Sequence, residues 1–227
     1  MLQWIIVWII LISSVTLFGS WYARKYGKPD ALIGLYVAFV IAANIMAIKI
    51  AAFDLGFSTF IAPAATLIFA VTFLITDIVN ERFGKNETLN MIRIALVAQI
   101  VMVFFIWLTI AIPPAPFWSD QQIFETILGF APRIMVASWI AFYISESLDA
   151  HIFAWFKEFT KGKQLWMRNV FSSIPSMAVD SMIFVTLAFY GLQPIVPIFI
   201  GLIAMKWLVG LVDIPFMYAN RWVLHKS

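Results

Sequence analysis

The chain has 227 residues, of which 63% are hydrophobic and 12% are charged, and its formal net charge is +3. Soluble domains carry about 25% charged residues, so this composition indicates a protein that folds in lipid. With no cysteine and two histidines, the chain is not expected to form disulfides or to hold a metal or another cofactor. The basic residues stand between apolar runs, which argues for membrane topology and against a nucleic-acid partner.

Apolar windows of about 20 residues recur along the chain and predict an all-α, polytopic membrane protein. We expect six to seven transmembrane helices in a single domain that covers residues 1–227. The predicted spans cover residues 2–22, 31–52, 60–80, 88–112, 132–156, 167–190 and 196–222. A short helix is expected after Ser119, because residues 119–122 resemble a capping box, and its apolar side chains predict a position on the membrane surface.

Lysine and arginine are concentrated in the loops after the first, third and fifth spans and at the C-terminus. The alternate loops contain none, and only Arg133, at the start of the fifth span, breaks the pattern. Because positively charged loops stay in the cytoplasm, the N-terminus is predicted outside and the C-terminus inside the cell (inner) membrane. The first span lacks a basic n-region and a small-residue cleavage site, so it is predicted to be retained.

The stretch from Thr76 to Lys85 ends the third span with an abrupt run of polar groups. Asp77, Asn80 and Glu81 are spaced i, i+3 and i+4, so they share one helix face. A carboxylate inside a membrane helix by default marks a polar interior or a transport path. The alternative is a helix end whose charges are solvated at the headgroup level.

Two pairs of opposite charges are predicted from depth along neighbouring spans. Asp180 and Lys206 are equally far from the loop near Gln193, so they should meet near the bilayer centre, where an unpaired charge costs about 2.5–3.5 kcal/mol or more. Asp77 and Arg93 are equally far from Lys85 and are predicted to pair nearer the cytoplasmic face. Either pair has the alternative reading of an ion pair that only holds two helices together.

The sixth predicted span carries Ser173, Ser176 and Asp180 on one stripe, with Pro175 inside it. A proline frees a backbone carbonyl and kinks a helix, and kinked helices often line midplane sites in transporters. Small polar residues also serve as ordinary packing residues between membrane helices, so a cavity and simple packing both stay open.

Other polar residues are spread over three spans. Asn44 and Glu146 fall near mid-membrane, Asp149 lies nearer the cytoplasmic side, Lys49 nearer the outer face, and Asp213 shares a face with Lys206. No P-loop, H-E-x-x-H or G-x-S-x-G motif is present, so the chain is not expected to be an enzyme. A polar midplane inside apolar spans instead suggests the movement of a solute.

Two motifs, residues 43–49 and residues 76–85, resemble the leading motifs of the queuosine precursor transporter family, once named as vitamin uptake transporters. Later positions match in the same order: residues 133–134, 137–138 and 148–153, then Asp180 and Lys206. The resemblance covers roughly residues 32–220, and we assign residues 30–222 to the family core and residues 1–24 to an additional N-terminal helix. Phe83 departs from the family, in which tyrosine is common.

The resemblance implies import of 7-deazaguanine bases, such as 7-cyano-7-deazaguanine, 7-aminomethyl-7-deazaguanine or queuine, for modification of transfer RNA. The chemistry of the residues fits such a base independently. A carboxylate of Asp180 or Glu146 can accept from two adjacent N–H groups of a guanine-like edge, and Asn44 and Lys206 can donate to its carbonyl. Phe184 can stack on the flat ring.

The predicted site therefore has two groups of residues. The substrate-binding group comprises Asn44, Arg133, Glu146, Ser176, Asp180, Phe184 and Lys206. The coupling or gating group comprises Lys49, Asp77, Asn80, Glu81, Arg93, Asp149 and Asp213.

Several alternatives remain at this point. The chain could be the substrate-binding membrane subunit of a multi-component importer of vitamins or nucleobases, or a structural membrane protein without a solute site, or, least of all, a membrane-embedded enzyme. A proton carried by Asp77 or Glu146 and facilitated diffusion are both open as energy sources. Gly19 and Ser20 suggest a packing face for a second protomer, that is, a homodimer.

Overall fold

The computed structural model describes residues 2–56, 58–129, 132–161, 165–191 and 194–225, which form eight helices and one β-hairpin. The helices are α1 (Leu2–Tyr26), α2 (Asp30–Met46), α3 (Thr66–Phe83), α4 (Lys85–Ala111), α5 (Gln121–Gly129), α6 (Pro132–Phe159), α7 (Leu165–Phe189) and α8 (Ile195–His225). The strands β1 (Ile50–Asp54) and β2 (Thr59–Pro63) pair antiparallel between α2 and α3. The all-α class is confirmed, and the hairpin is an addition to it.

Four of the described helices contain stretches that are long and apolar enough to cross a bilayer: Val7–Tyr26, Lys85–Ala111, Val170–Phe189 and Ile195–Leu224. The α2 helix has 17 residues. The helices α3 and α6 are continuous, but charged residues on their buried faces interrupt the apolar sequence of each. The chain is therefore a polytopic membrane protein, and its seven-span count stays a prediction.

The distribution of side chains is inverted relative to a soluble protein. Large apolar side chains cover the outside of the helices, as Phe104, Phe105 and Trp107 do on α4. The buried set includes carboxylates, amides, hydroxyls and an ammonium group beside the apolar core. Lipid favours this arrangement, because apolar groups are solvated by acyl chains whereas polar groups must find partners inside the bundle.

The hairpin corrects two predicted boundaries. The second predicted span, residues 31–52, already ends at Met46, and the third begins at Thr66 and not at residue 60. The strands are as apolar as the helices beside them, and a short apolar run does not reveal whether it is strand or helix. Gly56 forms the turn with a φ of 86°, a left-handed conformation that glycine adopts without strain.

The hairpin packs tightly against α8 at Gly201. A Cβ atom built on Gly201 would overlap the carbonyl oxygen of Ile61 and lie 3.1 Å from its amide nitrogen. Glycine is therefore required for the backbone of β2 to lie against the helix. We call the end of the bundle that carries β1 and β2 the hairpin end, and the opposite end, where α3 ends and α4 begins at Gly84, the basic end.

The α1 helix packs against α2 and α8 of the same chain through Gly19 and Ser20, the two residues that suggested contact with a second protomer. The hydroxyl of Ser20 donates to Oδ1 of Asn220 on α8 at 2.7 Å, and a Cβ on Gly19 would meet Leu32 of α2. The prediction that Gly19 and Ser20 form a dimer face is therefore wrong for these two residues. Two backbones that approach closely at small residues are typical of packing between membrane helices.

Candidate functional site

A cavity lies between α2, α3, α4, α6, α7 and α8, at the level where α2 ends and α3 begins. The volume open to the centre of a water-sized sphere is about 50 Å³, and all the empty space around it, including the open space at its mouth, is about 500 Å³. Its wall is largely apolar and includes the rings of Phe69, Phe142 and Phe184. The polar side chains in the wall are Asn44, Thr66, Gln99, Ser138, Asp180 and Lys206. A mainly apolar cavity with a few convergent polar groups is typical of a small-molecule site.

One wall of the cavity is an amide cluster. The hydroxyl of Ser138 donates to Oδ1 of Asn44 at 2.8 Å, and Nδ2 of Asn44 donates to Oε1 of Gln99. These bonds fix which way both amides point. Among the described residues, the buried Nε2 of Gln99 has no hydrogen-bond partner, so this amide can donate to a ligand.

Another wall is the predicted ion pair. The ammonium group of Lys206 binds Oδ2 of Asp180, and the hydroxyl of Ser145 donates to Oδ1 of Asp180 at 3.1 Å. The same ammonium group lies 4.5 Å from the centre of the Phe69 ring, in position for a cation–π contact. The prediction that Asp180 and Lys206 meet is confirmed, and both residues line the cavity.

Glu146 lies behind the cavity wall and not in it. Its carboxylate accepts hydrogen bonds from Tyr36 at 2.9 Å, Thr76 at 2.7 Å and Thr72 at 3.3 Å. Three hydroxyl donors on α2 and α3 therefore hold this carboxylate. Because Glu146 is absent from the cavity lining, Asp180 is the carboxylate that a ligand in the cavity would meet.

The predicted pair of Asp77 and Arg93 is wrong. Asp77 is fully buried and interacts with Asp149 of α6, whereas Arg93 is exposed and donates to Oδ1 of Asn90 at 3.3 Å. The two residues do have similar depth, but the buried face of α4 is formed by Thr88, Met91, Ile92, Ala95 and Gln99. Arg93 lies on the other side of the helix.

Glu81 and Asn80 tie α3 to two other helices at the basic end. The carboxylate of Glu81 lies 3.7 Å from Nζ of Lys157 and 3.4 Å from Nε of Arg221. Nδ2 of Asn80 donates to the carbonyl oxygen of Ala150 at 2.9 Å. These contacts join α3 to α6 and α8.

The remaining predicted residues lie apart from the cavity or outside the described side chains. Lys49 is exposed, in the turn before β1 and not in a helix. Ser176 and Asp213 are buried, and their side-chain oxygens have no hydrogen-bond partner within the described part of the chain. The side chain of Arg133 is not among those described.

Gln99, Phe69 and Tyr36 were not predicted from the sequence. Gln99 is the residue with the clearest signal, because it is an amide in the middle of a helix whose neighbouring residues are all apolar. Phe69 and Tyr36 carry no such signal, since aromatic residues are common throughout these helices and only the fold selects the ones that face a charged group.

The family model described as "Putative vitamin uptake transporter" matches residues 63–220. The chain belongs to this family. The "Probable queuosine precursor transporter" of Bacillus subtilis (strain 168) is 29% identical over 223 residues, which cover 96% of this chain and 93% of that protein. No solved structure matches the chain. The vitamin uptake transporter match includes Asp77, Glu146, Asp149, Asp180 and Lys206, whereas Asn44 precedes it.

Proposed function

We propose that the chain imports 7-deazaguanine bases, such as 7-cyano-7-deazaguanine, 7-aminomethyl-7-deazaguanine or queuine, into the cytoplasm for modification of transfer RNA. The observation that carries this proposal is the cavity itself, which is lined by a carboxylate, an ammonium group, an amide donor and aromatic rings. The name of the Bacillus subtilis relative supports the same class of substrate.

The groups in the cavity match the hydrogen-bonding edge of a guanine-like base. Asp180 accepts from the ring N–H and the exocyclic amine, a two-point contact to a charged acceptor. The carbonyl oxygen of the base accepts from Lys206 or from the Nε2 of Gln99 that has no partner in the described structure. Phe142 and Phe184 provide flat apolar surfaces for the ring. In this arrangement the base replaces part of the contact between Asp180 and Lys206.

The ends of α2 and α3 support transport over static binding. Both helices end at the cavity, with Asn44 and Ala47 at the end of α2 and Thr66 at the start of α3. Helices that break at a central site are common in secondary transporters, because they form a site that can open to either side. Pro63, the last residue of β2, lines the cavity between the two helix ends.

The proposal is tested by binding and uptake with purified protein. A thermal-shift panel with guanine, queuine and the cyano and aminomethyl precursors selects the base, and uptake of that radiolabelled base into liposomes measures transport by this chain alone. Asp180→Asn should weaken binding about 10- to 100-fold, because a charged acceptor for two donors is lost. Glu158→Gln, at an exposed position near the end of α6, is the matched control.

Each outcome separates the proposal from its alternatives. Uptake by the chain alone excludes a subunit that depends on a separate ATPase. Unchanged binding by Asp180→Asn at equal folding would refute the assignment of the carboxylate. No shift with any of the four bases would refute the substrate class.

A further inference from the structure

Glu146 forms a second polar site, which lies directly behind the wall of the cavity. Its carboxylate oxygens lie 2.9 Å from the hydroxyl of Tyr36, 2.7 Å from that of Thr76 and 3.3 Å from that of Thr72. All four side chains are fully buried, and within the described part of the chain no lysine or arginine contacts this carboxylate. Buried charges are normally paired, so a site built from hydroxyl groups indicates a carboxyl group that can also be neutral.

The hydroxyl groups can satisfy Glu146 in either protonation state. The hydroxyl oxygen of Thr76 also lies 2.9 Å from the carbonyl oxygen of Thr72, and that of Thr72 lies 2.5 Å from the carbonyl oxygen of Phe69. Each hydroxyl has one hydrogen and can rotate, so it donates to the ionised carboxylate or to the backbone carbonyl. In the second arrangement a protonated Glu146 donates to a threonine oxygen. The site therefore gains or loses a proton without leaving a buried polar group unpaired.

The charges around Glu146 make its ionisation sensitive to what the cavity holds. Ser145, which directly precedes Glu146 on α6, donates to Asp180 at 3.1 Å, so the two carboxylates are close neighbours. Lys206 of α8 balances Asp180 in this structure. In the complex proposed above, the base replaces part of that contact, and the weaker balance of Asp180 favours a proton on Glu146 because like charges repel.

The other buried titratable side chains described on the surrounding helices are Tyr36, Asp77, Glu81, Asp149 and Asp213. The four acids among them add no positive charge that would hold Glu146 in its ionised form.

Glu146 also links the two helices that end at the cavity to α6. Tyr36 belongs to α2, which ends at Met46, and the two threonines belong to α3, which begins at Thr66. Phe142, one turn before Glu146, lines the cavity, and the centre of its ring is 6.1 Å from that of Tyr36. A base that displaces Phe142 therefore changes the hydrogen bonds of Glu146, and a proton on Glu146 changes how α2 and α3 are held. Such reciprocity is what coupling between two sites requires.

We propose that Glu146 is the proton-binding residue that couples movement of the base to the proton gradient. The proposal rests on the transport function proposed above. A proton from water binds to a carboxylate oxygen of Glu146 while the site is open to the outside, and this O–H bond breaks when the site opens to the cytoplasm and water takes the proton. One proton thereby crosses with each base, and no other bond changes.

The first test separates proton coupling from movement of the base in proteoliposomes. Radiolabelled 7-cyano-7-deazaguanine is followed in two assays: accumulation driven by an inside-alkaline pH gradient, and exchange against unlabelled base without a gradient. Glu146→Gln should lose accumulation above equilibrium and still exchange the base, because glutamine has the shape and the hydrogen-bonding groups of protonated glutamate but releases no proton. Glu158→Gln, exposed on α6, should behave as the parent in both assays.

Three results in that test would overturn the proposal. They are accumulation by Glu146→Gln at the parent's level, loss of exchange together with accumulation in the folded variant, and a parent that exchanges the base but does not accumulate it with the pH gradient. A parent that shows no exchange would refute the proposed substrate, and the second test would then decide whether Glu146 binds a proton.

The second test needs no substrate. Infrared difference spectra of the purified parent in lipid, between acidic and alkaline buffer, should contain the carbonyl stretch of a protonated carboxylic acid that is absent from Glu146→Gln and present in Glu158→Gln. Tyr36→Phe should keep this band at a higher frequency, because the carboxyl group loses the hydrogen bond from the phenol. A band that Glu146→Gln leaves unchanged, or that Tyr36→Phe leaves at the parent's frequency, would overturn the proton site, provided that the variants are folded.

Discussion

Lys206 balances the charge of the cavity through two different contacts. Its ammonium group binds Asp180 and lies over the ring of Phe69. A buried ion pair contributes little net stability compared with an apolar pair, whereas removal of one partner leaves an uncompensated charge. The pair is therefore better suited to binding a ligand than to stabilising the fold, because a ligand can take the place of Lys206 at Asp180, or of Asp180 at Lys206.

This view predicts an unequal effect of single and double substitutions. Lys206→Met should lower the free energy of unfolding by about 3–5 kcal/mol, since Asp180 is left buried without a cation. The double variant Asp180→Asn with Lys206→Met should recover most of that loss and still fail to bind the base. Thermal unfolding in detergent measures the first effect, and the thermal shift with added base measures the second.

Arg93→Met is the control for that series, because Arg93 is exposed and bonded only to Asn90 among the contacts described. It should change stability by less than about 0.5 kcal/mol. A double variant that is as unstable as Lys206→Met would contradict the explanation, since the loss would then come from packing of the lysine side chain and not from its charge.

The two predicted ion pairs show which part of the site the sequence determines. The depth of a residue in the membrane follows from the number of residues along its helix, at about 1.5 Å each. Asp180 and Lys206 have the same depth, and they meet because α7 and α8 are neighbours and both residues face the cavity. Asp77 and Arg93 match in depth but not in direction around the helix, because α4 turns Gln99 and not Arg93 to the interior. The direction in which a side chain faces around its helix depends on packing with helices that are distant in the sequence.

At the level of elements, the hairpin is the part that composition does not reveal. Its strands contain Ile, Phe and Ala, which are also common in the adjoining helices, so a hydropathy window extends the helices across it. The pairing itself depends on Gly56 at the turn and on Gly201 in a helix far along the chain. A prediction from local sequence cannot include the second of these.

Gly201→Ala is expected to loosen the hairpin. The new Cβ would overlap the carbonyl of Ile61, so β2 must move from α8 at a cost of about 1–3 kcal/mol. Hydrogen exchange of the amides in residues 50–63 should become faster, since the packing that protects them is weakened.

Gly34→Ala is the matched control, because a Cβ on Gly34 of α2 would meet no atom within 4 Å. This substitution should be neutral or stabilise α2 by up to about 1 kcal/mol, since alanine is the better helix former. If Gly201→Ala leaves exchange in the hairpin unchanged, the close approach of β2 to α8 is not what holds the hairpin in place.

For the whole molecule, the amino-acid pattern predicts the class and the succession of helices because lipid imposes them. Backbone polar groups must be satisfied within each span, and basic loops stay on one side. The interior of the bundle is less predictable. Which carboxylate lines the cavity and which lies behind it depends on hydroxyl donors from α2 and α3 that no spacing rule assigns to Glu146.

The orientation of the whole chain gives the last prediction, and the absence of cysteine makes it direct to test. Single cysteines replace Ser58, in the exposed turn of the hairpin, and Lys28, in the exposed loop between α1 and α2. Because Arg24, Lys25 and Lys28 are expected to hold their loop in the cytoplasm, Ser58→Cys should react with a membrane-impermeant maleimide in intact cells, and Lys28→Cys only after permeabilisation. The reverse pattern would place the basic end outside and would refute the predicted orientation. Labelling of both sites in intact cells would show that the hairpin and the first loop lie on the same side, and it would refute the count of spans between them.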